Sequence, residues 1–147
     1  MNKNNQNKHV SDSITLKDTV EVVRYKGAQN IREMIEKKQY IEAFIHTQLG
    51  IEKILWDKIV GIFEGEKAMM VSRTINESRG DKSNTRTYEL IKWAHILGAI
   101  DDNDFKDLKV FNKARNSIMH GHGKWWSAKD YLEALQKGIS FLEKNGL

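Results

Sequence analysis

The feature that most constrains this chain is the absence of proline from all 147 residues. All-β proteins rely on proline and clustered glycine to separate short strands, whereas the 10 glycines here are scattered along the chain. Apolar residues recur instead at intervals of three and four, the spacing of a helix that buries one face. The sequence therefore predicts an all-α fold, an antiparallel bundle of about five to six helices.

The length and composition of the chain suit a single domain with one hydrophobic core. Residues 1–13 are polar, rich in Asn and Lys, and lack periodicity, so we expect a disordered leader there and a helical domain over residues 14–147. Cysteine is absent, which excludes disulfides and thiolate chemistry. No segment approaches the ~18 apolar residues of a membrane span, so we expect a cytoplasmic protein without a membrane partner.

Apolar periodicity and capping signals give the expected helix positions. Gly27 is a weak point in the first helix, Gly65 and Gly98 are expected to stop the second and fourth, and Ser127 with Asp130 resembles a capping arrangement for the last. The helices are expected at about 16–38, 40–65, 67–75, 88–97, 103–119 and from Ser127 onward, with an exposed loop at 77–85.

The fifth predicted helix has two faces of different character. Its apolar arc is expected to be core and consists of Val110, Phe111, Ala114 and Ile118. Its other arc is a polar ladder with residues four positions apart, Asn112, Asn116 and His120. Arg115 lies at the border, so arginine, asparagine and histidine are expected to converge at the C-terminal end of this helix.

This group of residue types suits the cleavage of an RNA phosphodiester. Histidine titrates near neutral pH and can accept the proton of a 2′-hydroxyl, a fixed guanidinium can stabilise the phosphorane, and an amide can orient both. The alternative interpretation is a surface ion pair for Arg115 and a helix-terminal position for His120.

The segment Arg115-Asn116-x-x-x-His120-Gly121 resembles the motif of HEPN domains, which occur in prokaryotic toxins and defence nucleases. Further similarity lies in Gln39-Tyr40-x-x-Ala43 and in Leu97-Gly98 followed by residues 101–108. The resemblance covers about residues 16–145. It implies a HEPN-like helical bundle that acts as a metal-independent endoribonuclease, with two motif copies facing each other across a homodimer.

On that resemblance, Arg115 and His120 are catalytic, Asn116 orients them, and no cofactor is needed. His122 stands where one toxin branch, regulated by a partner nucleotidyltransferase, has a tyrosine, so that form of control is not expected here. His120 and His122 form a His-x-His pair of the kind that can hold zinc, but no third ligand is apparent nearby, and no metal site is expected.

Residues around the motif are candidates for RNA binding. Lysines at helical spacing, Lys106, Lys109 and Lys113, form a basic flank, for which a solvated helix face is the alternative. Beyond the helix, the expected RNA contacts are Lys124, Trp125 and Trp126, where packed rings are the alternative to base stacking. Glu52 is expected either to hydrogen bond with Arg115 or to be solvated, and His46 and His95 to be packing histidines.

Three functional hypotheses follow from the sequence. The first is an endoribonuclease of the toxin or phage-defence type, acting on RNA and paired with a cognate antitoxin or defence-system partner. The second is a non-catalytic HEPN module that binds nucleic acid, a nucleotide or a protein. The third is a helical antitoxin or adaptor whose positive charge, formally +4, matches an acidic partner.

Overall fold

A computed structural model describes residues 27–78, 86–121 and 126–147 of the chain. The described residues form helices and no strand, which confirms the all-α prediction. The helices are α1 (Ala28–Glu36), α2 (Tyr40–Gly61), α3 (Glu66–Ser78), α4 (Arg86–Ile96), α5 (Asp102–His120) and α6 (Ala128–Lys144).

The ends of α5 and α6 follow directly from local sequence. Asp101 caps α5 by accepting a hydrogen bond from the backbone N–H of Asp104 at 2.8 Å, and Gly121 ends the helix in the left-handed conformation with a φ of 66°. Ser127 and Asp130 form a reciprocal capping box at the start of α6. Asp101 and Gly121 thus define the two ends of α5, and Ser127 with Asp130 defines the start of α6. The sequence-based boundaries of α5 are correct to within one residue at each end.

The long helix α2 lies at the centre of the bundle and packs against α1, α3, α4 and α6, with fewer contacts to α5. Phe44 of α2 stacks on Phe111 of α5, with ring centroids 5.5 Å apart, and both side chains are fully buried. Gly138 lets α6 come close to this pair: a Cβ there would lie 2.7 Å from Phe111 Cδ2. The core thus holds α2, α5 and α6 in one tightly packed unit.

Several boundaries differ from the sequence-based expectation. Helix α2 ends at Gly61 rather than near Gly65, because Ile62 is left exposed and no longer gains from continuing the buried face. Helix α3 continues to Ser78, three residues past the expected end and into the expected loop. The first helix is described from Ala28, with Gly27 at its N-cap. Three expected segments lie outside the described residues: the leader over residues 1–13, the part of the first helix before Gly27, and residues 79–85 of the loop. The domain boundaries therefore stay predictions.

The buried arc of α5 is also displaced from the predicted one. Val110 was expected in the core, but 39% of it is exposed, whereas Leu108 is fully buried. Helix α5 packs against α4, α6 and α2, and which of its arcs is buried depends on where these neighbours lie.

None of the helices described in residues 27–78, 86–121 and 126–147 has the length and apolar character needed to cross a membrane.

Candidate active site at the end of helix α5

The three motif residues occupy the last turn and a half of α5. Arg115 and Asn116 are half-buried, and His120, the last residue of the helix, is exposed. Gly121 then turns the backbone away, so the helix terminus and the imidazole stand at the surface of the bundle. Among the described residues, all three side chains are thus at least partly accessible to solvent.

Arg115 is held by its neighbour on the helix. Its Nη1 donates a hydrogen bond to Oδ1 of Asn116 at 3.1 Å. Its Nε is buried and has no hydrogen-bond acceptor among the described residues. A buried donor without an acceptor costs free energy. The guanidinium also has further N–H groups, which suit the oxygens of a carboxylate or a phosphate. Asn116 therefore orients the Arg115 guanidinium, and the other N–H groups of that guanidinium are left to bind an anion.

The predicted polar ladder is only partly present. Asn112 was expected on the same exposed face as Asn116 and His120, but only 7% of it is accessible. It lies in the buried arc of α5 with Leu108 and Phe111. The candidate site therefore contains one asparagine, Asn116, rather than two.

Glu52 does not have the partner expected from the sequence. Its Oε1 accepts hydrogen bonds from Nε2 of Gln48, at 2.9 Å, and from Oγ1 of Thr87, which is buried at the start of α4. Neither the expected bond to Arg115 nor the alternative of a fully solvated carboxylate is correct. Glu52 joins α2 to α4 instead, and this polar link was not visible from the sequence because it depends on which helices become neighbours.

Aromatic residues support the far side of the motif. Trp126 is half-buried and stacks on Tyr131, with ring centroids 5.5 Å apart. The Tyr131 hydroxyl lies 3.0 Å from the Ser117 hydroxyl, and its ring meets Phe44 edge to face. One face of Trp126 is thus used in packing, as the alternative reading of this residue anticipated. Lys124 and Trp125, the other two residues expected to bind RNA beyond the helix, lie outside the described residues, as does His122.

An apolar groove lies beside the motif end of α5 and was not anticipated from the sequence. It has a volume of about 150 Å³, and Ile118 of α5 forms one wall. The rest of the lining comes from the first turns of α2 and α6, namely Tyr40, Phe44, Ala128, Tyr131, Leu132 and Leu135. Tyr40 and Leu132 at its rim are large side chains that remain more than a third exposed.

The basic flank predicted from the sequence is present on α5. Lys106, Lys109 and Lys113 are exposed, and Nζ of Lys109 lies 5.2 Å above the ring of Phe105. In the part of the chain that the structure describes, no group of three or more His, Asp or Glu side chains is arranged to hold a metal ion.

Comparisons of the chain with family models, with curated proteins and with solved structures found no match.

Proposed function

We propose that this chain is an endoribonuclease of the HEPN type that cleaves RNA without a metal ion, using Arg115, Asn116 and His120. The observation that carries the proposal is the arrangement at the end of α5. An exposed histidine ends the helix, and a half-buried arginine one turn earlier is oriented by its hydrogen bond to Asn116. General-base catalysis and stabilisation of developing charge are the two contributions that this reaction requires.

The proposed reaction uses only groups of the protein and the RNA. His120 accepts the proton of the 2′-hydroxyl, and the 2′-oxygen forms a bond to the adjacent phosphorus. The bond from phosphorus to the 5′-oxygen breaks, and that oxygen leaves as a hydroxyl after taking up the proton of the His120 imidazolium, which returns to its neutral form. Arg115 stabilises the extra negative charge of the phosphorane through its remaining N–H donors. The products are a 2′,3′-cyclic phosphate and a 5′-hydroxyl end.

The site is proposed to be completed by a second copy of the chain. A single helix end is open on one side and surrounds a phosphate poorly, whereas a two-fold axis near the end of α5 would double every functional group. The apolar groove supports this arrangement, because its exposed rim residues Tyr40 and Leu132 lie at the same end of the bundle as Ile118 of α5. We propose that the dimer acts as a toxin or phage-defence nuclease, whose cognate partner is a separate protein.

The proposal is tested by incubating the purified protein with a labelled, unstructured RNA in the presence of EDTA. We expect cleavage to persist, to leave 2′,3′-cyclic phosphate ends, and to stop when the nucleotide at the cut carries deoxyribose. His120→Ala should lower the rate by roughly 10²–10⁴-fold, the usual contribution of a general base.

The matched control is His95→Gln, because His95, in the last turn of α4, is hydrogen bonded to Asp102 in the first turn of α5, at the end of that helix opposite to His120. This variant should cleave as fast as the parent protein. Unchanged cleavage by His120→Ala would contradict the assignment. A parent protein that binds RNA but never cuts it would favour the non-catalytic module instead.

A further inference from the structure

The exposed lysines of α5 differ from the other charged residues of this helix and of its neighbour α6. Lys106, Lys109 and Lys113 have no carboxylate partner within the described residues. Lys137 and Lys144 of α6, in contrast, each form an ion pair with α5. The positive charge on the exposed face of α5 is therefore left without local compensation.

The acidic residues of α5 are already engaged elsewhere. Asp107 pairs with Lys137, and Asp104 accepts from Nζ of Lys144 at 3.0 Å. Asp102, in the first turn, lies 2.7 Å from Nε2 of His95. Asp104 and Asp107 are held by lysines of α6. Asp102 is exposed and lies on the same face as the lysines, four positions before Lys106, but its ion pair is with His95 of α4. The carboxylates of α5 therefore form no ion pair with the three lysines among the described residues.

The lysines form a line that leads to the candidate active site. Positions 106, 109, 113, 116 and 120 follow one another at intervals of three and four, so they share one face of α5. At 1.5 Å per residue, the line runs for about 21 Å from Lys106 to His120. A polyanion bound along this face would have one part at the imidazole and the adjoining part beside the lysines.

We propose that this face of α5, hereafter the lysine track, binds the phosphates of a single RNA strand on one side of the bond that is cut. The proposal rests on the proposed function for its link to cleavage. A single strand is favoured over a duplex because the track is one row of charge, and because attack by the 2′-oxygen needs a nucleotide free to leave the stacked A-form geometry. The contacts go to phosphates, so they carry little base preference.

The experiment measures binding separately from cleavage. Fluorescence anisotropy is recorded with a labelled unstructured 12-nucleotide RNA and the His120→Ala protein, which leaves the RNA intact. Combining Lys106→Gln, Lys109→Gln and Lys113→Gln should weaken binding at least about tenfold at low salt. The slope of log Kd against log salt concentration should fall by about 2, since each phosphate contact to a single strand contributes about 0.7. Single-stranded DNA should show the same loss.

The control carries the same change of charge elsewhere, as Lys53→Gln, Lys58→Gln and Lys67→Gln on α2 and α3. It should change the slope far less. In the parent background, the track variant should cleave a long RNA with a raised KM, because the lysines are proposed to contact phosphates away from the cut bond.

The outcomes separate the two proposals. Equal binding by the track variant and the parent overturns the track, even if His120→Ala still abolishes cleavage. The track is also overturned if duplex RNA or polyglutamate binds more tightly than the single strand and this binding depends on the three lysines. If the lysines are needed for RNA binding but no RNA is ever cut, the track stands and the proposed nuclease function fails.

Discussion

The hydroxyl groups of Ser117 and Tyr131 lie 3.0 Å apart and connect the penultimate turn of α5 to the first turn of α6. Only 8% of Ser117 is accessible, and Tyr131 is half-buried. It lies between Arg115 and His120 along the chain, and the Tyr131 ring also contacts Trp126 and Phe44. Tyr131 therefore positions the end of the helix that carries the candidate catalytic residues.

Tyr131→Phe should remove this bond while keeping the ring. We expect the free energy of unfolding to fall by about 0.5–1.5 kcal/mol, because the nearly buried Ser117 loses its hydrogen-bond partner. Chemical denaturation measures the change. Tyr88→Phe is the control, since Tyr88 is exposed and Nζ of Lys92 lies over the face of its ring, 5.0 Å from the centroid. If both variants lost equal stability, the hydroxyl bond would not be the cause.

Arg115→Lys should abolish most cleavage although the charge is kept. A lysine is a point charge and cannot hold one donor on Asn116 while directing others at a phosphate. We expect kcat to fall by roughly 10²–10³-fold, the usual cost of losing a donor to a developing oxyanion. RNA cleavage kinetics with a parallel denaturation curve give the result. Arg73→Lys, on the exposed face of α3, should retain full activity, and an active Arg115→Lys would argue against a guanidinium clamp.

The parts of the fold that the sequence predicted are those decided by neighbouring residues. The cap at Asp101, the left-handed Gly121 and the capping box of Ser127 with Asp130 each depend on three or four adjacent positions. This is why the ends of α5, and with them the position of the motif at a helix terminus, are those expected.

The parts that the sequence failed to predict depend on which helices meet. Asn112 is buried and Val110 is exposed, and the periodicity of α5 alone does not say which arc its neighbours α2, α4 and α6 will cover. Glu52 bonds to Thr87 for the same reason. The groove beside Ile118 needs three helix ends to come together, so no single stretch of sequence indicates it.

Gly138→Ala should destabilise the protein even though alanine is the better helix former. The added methyl group would lie 2.7 Å from both Phe111 Cδ2 and Thr47 Cγ2, inside the packed core. Overpacking of this kind typically costs about 1–3 kcal/mol, more than the roughly 1 kcal/mol that alanine gains over glycine within a helix. Thermal and chemical denaturation test the sign. Gly61→Ala, where nothing lies within 4 Å, should leave stability unchanged or slightly raised.

Asp130→Asn should lower stability at neutral pH but matter progressively less in acid. Asp130 accepts hydrogen bonds from the backbone N–H and the hydroxyl of Ser127, and the backbone bond is the main cause that lowers its pKa below the ordinary 3.8.

A pKa lowered by folding means that the carboxylate form stabilises the folded state. That contribution is complete above the unfolded pKa and is lost as pH falls through the folded one. Denaturation curves of parent and variant should therefore converge progressively as the pH falls below about 5. Glu133→Gln is the control, because it removes the same charge from α6. The Glu133 carboxylate is exposed, and its Oε1 lies 3.7 Å from Nζ of Lys129. A gap between parent and Asp130→Asn that stays constant over this range would show that the capping carboxylate does not contribute to the acid sensitivity of the fold.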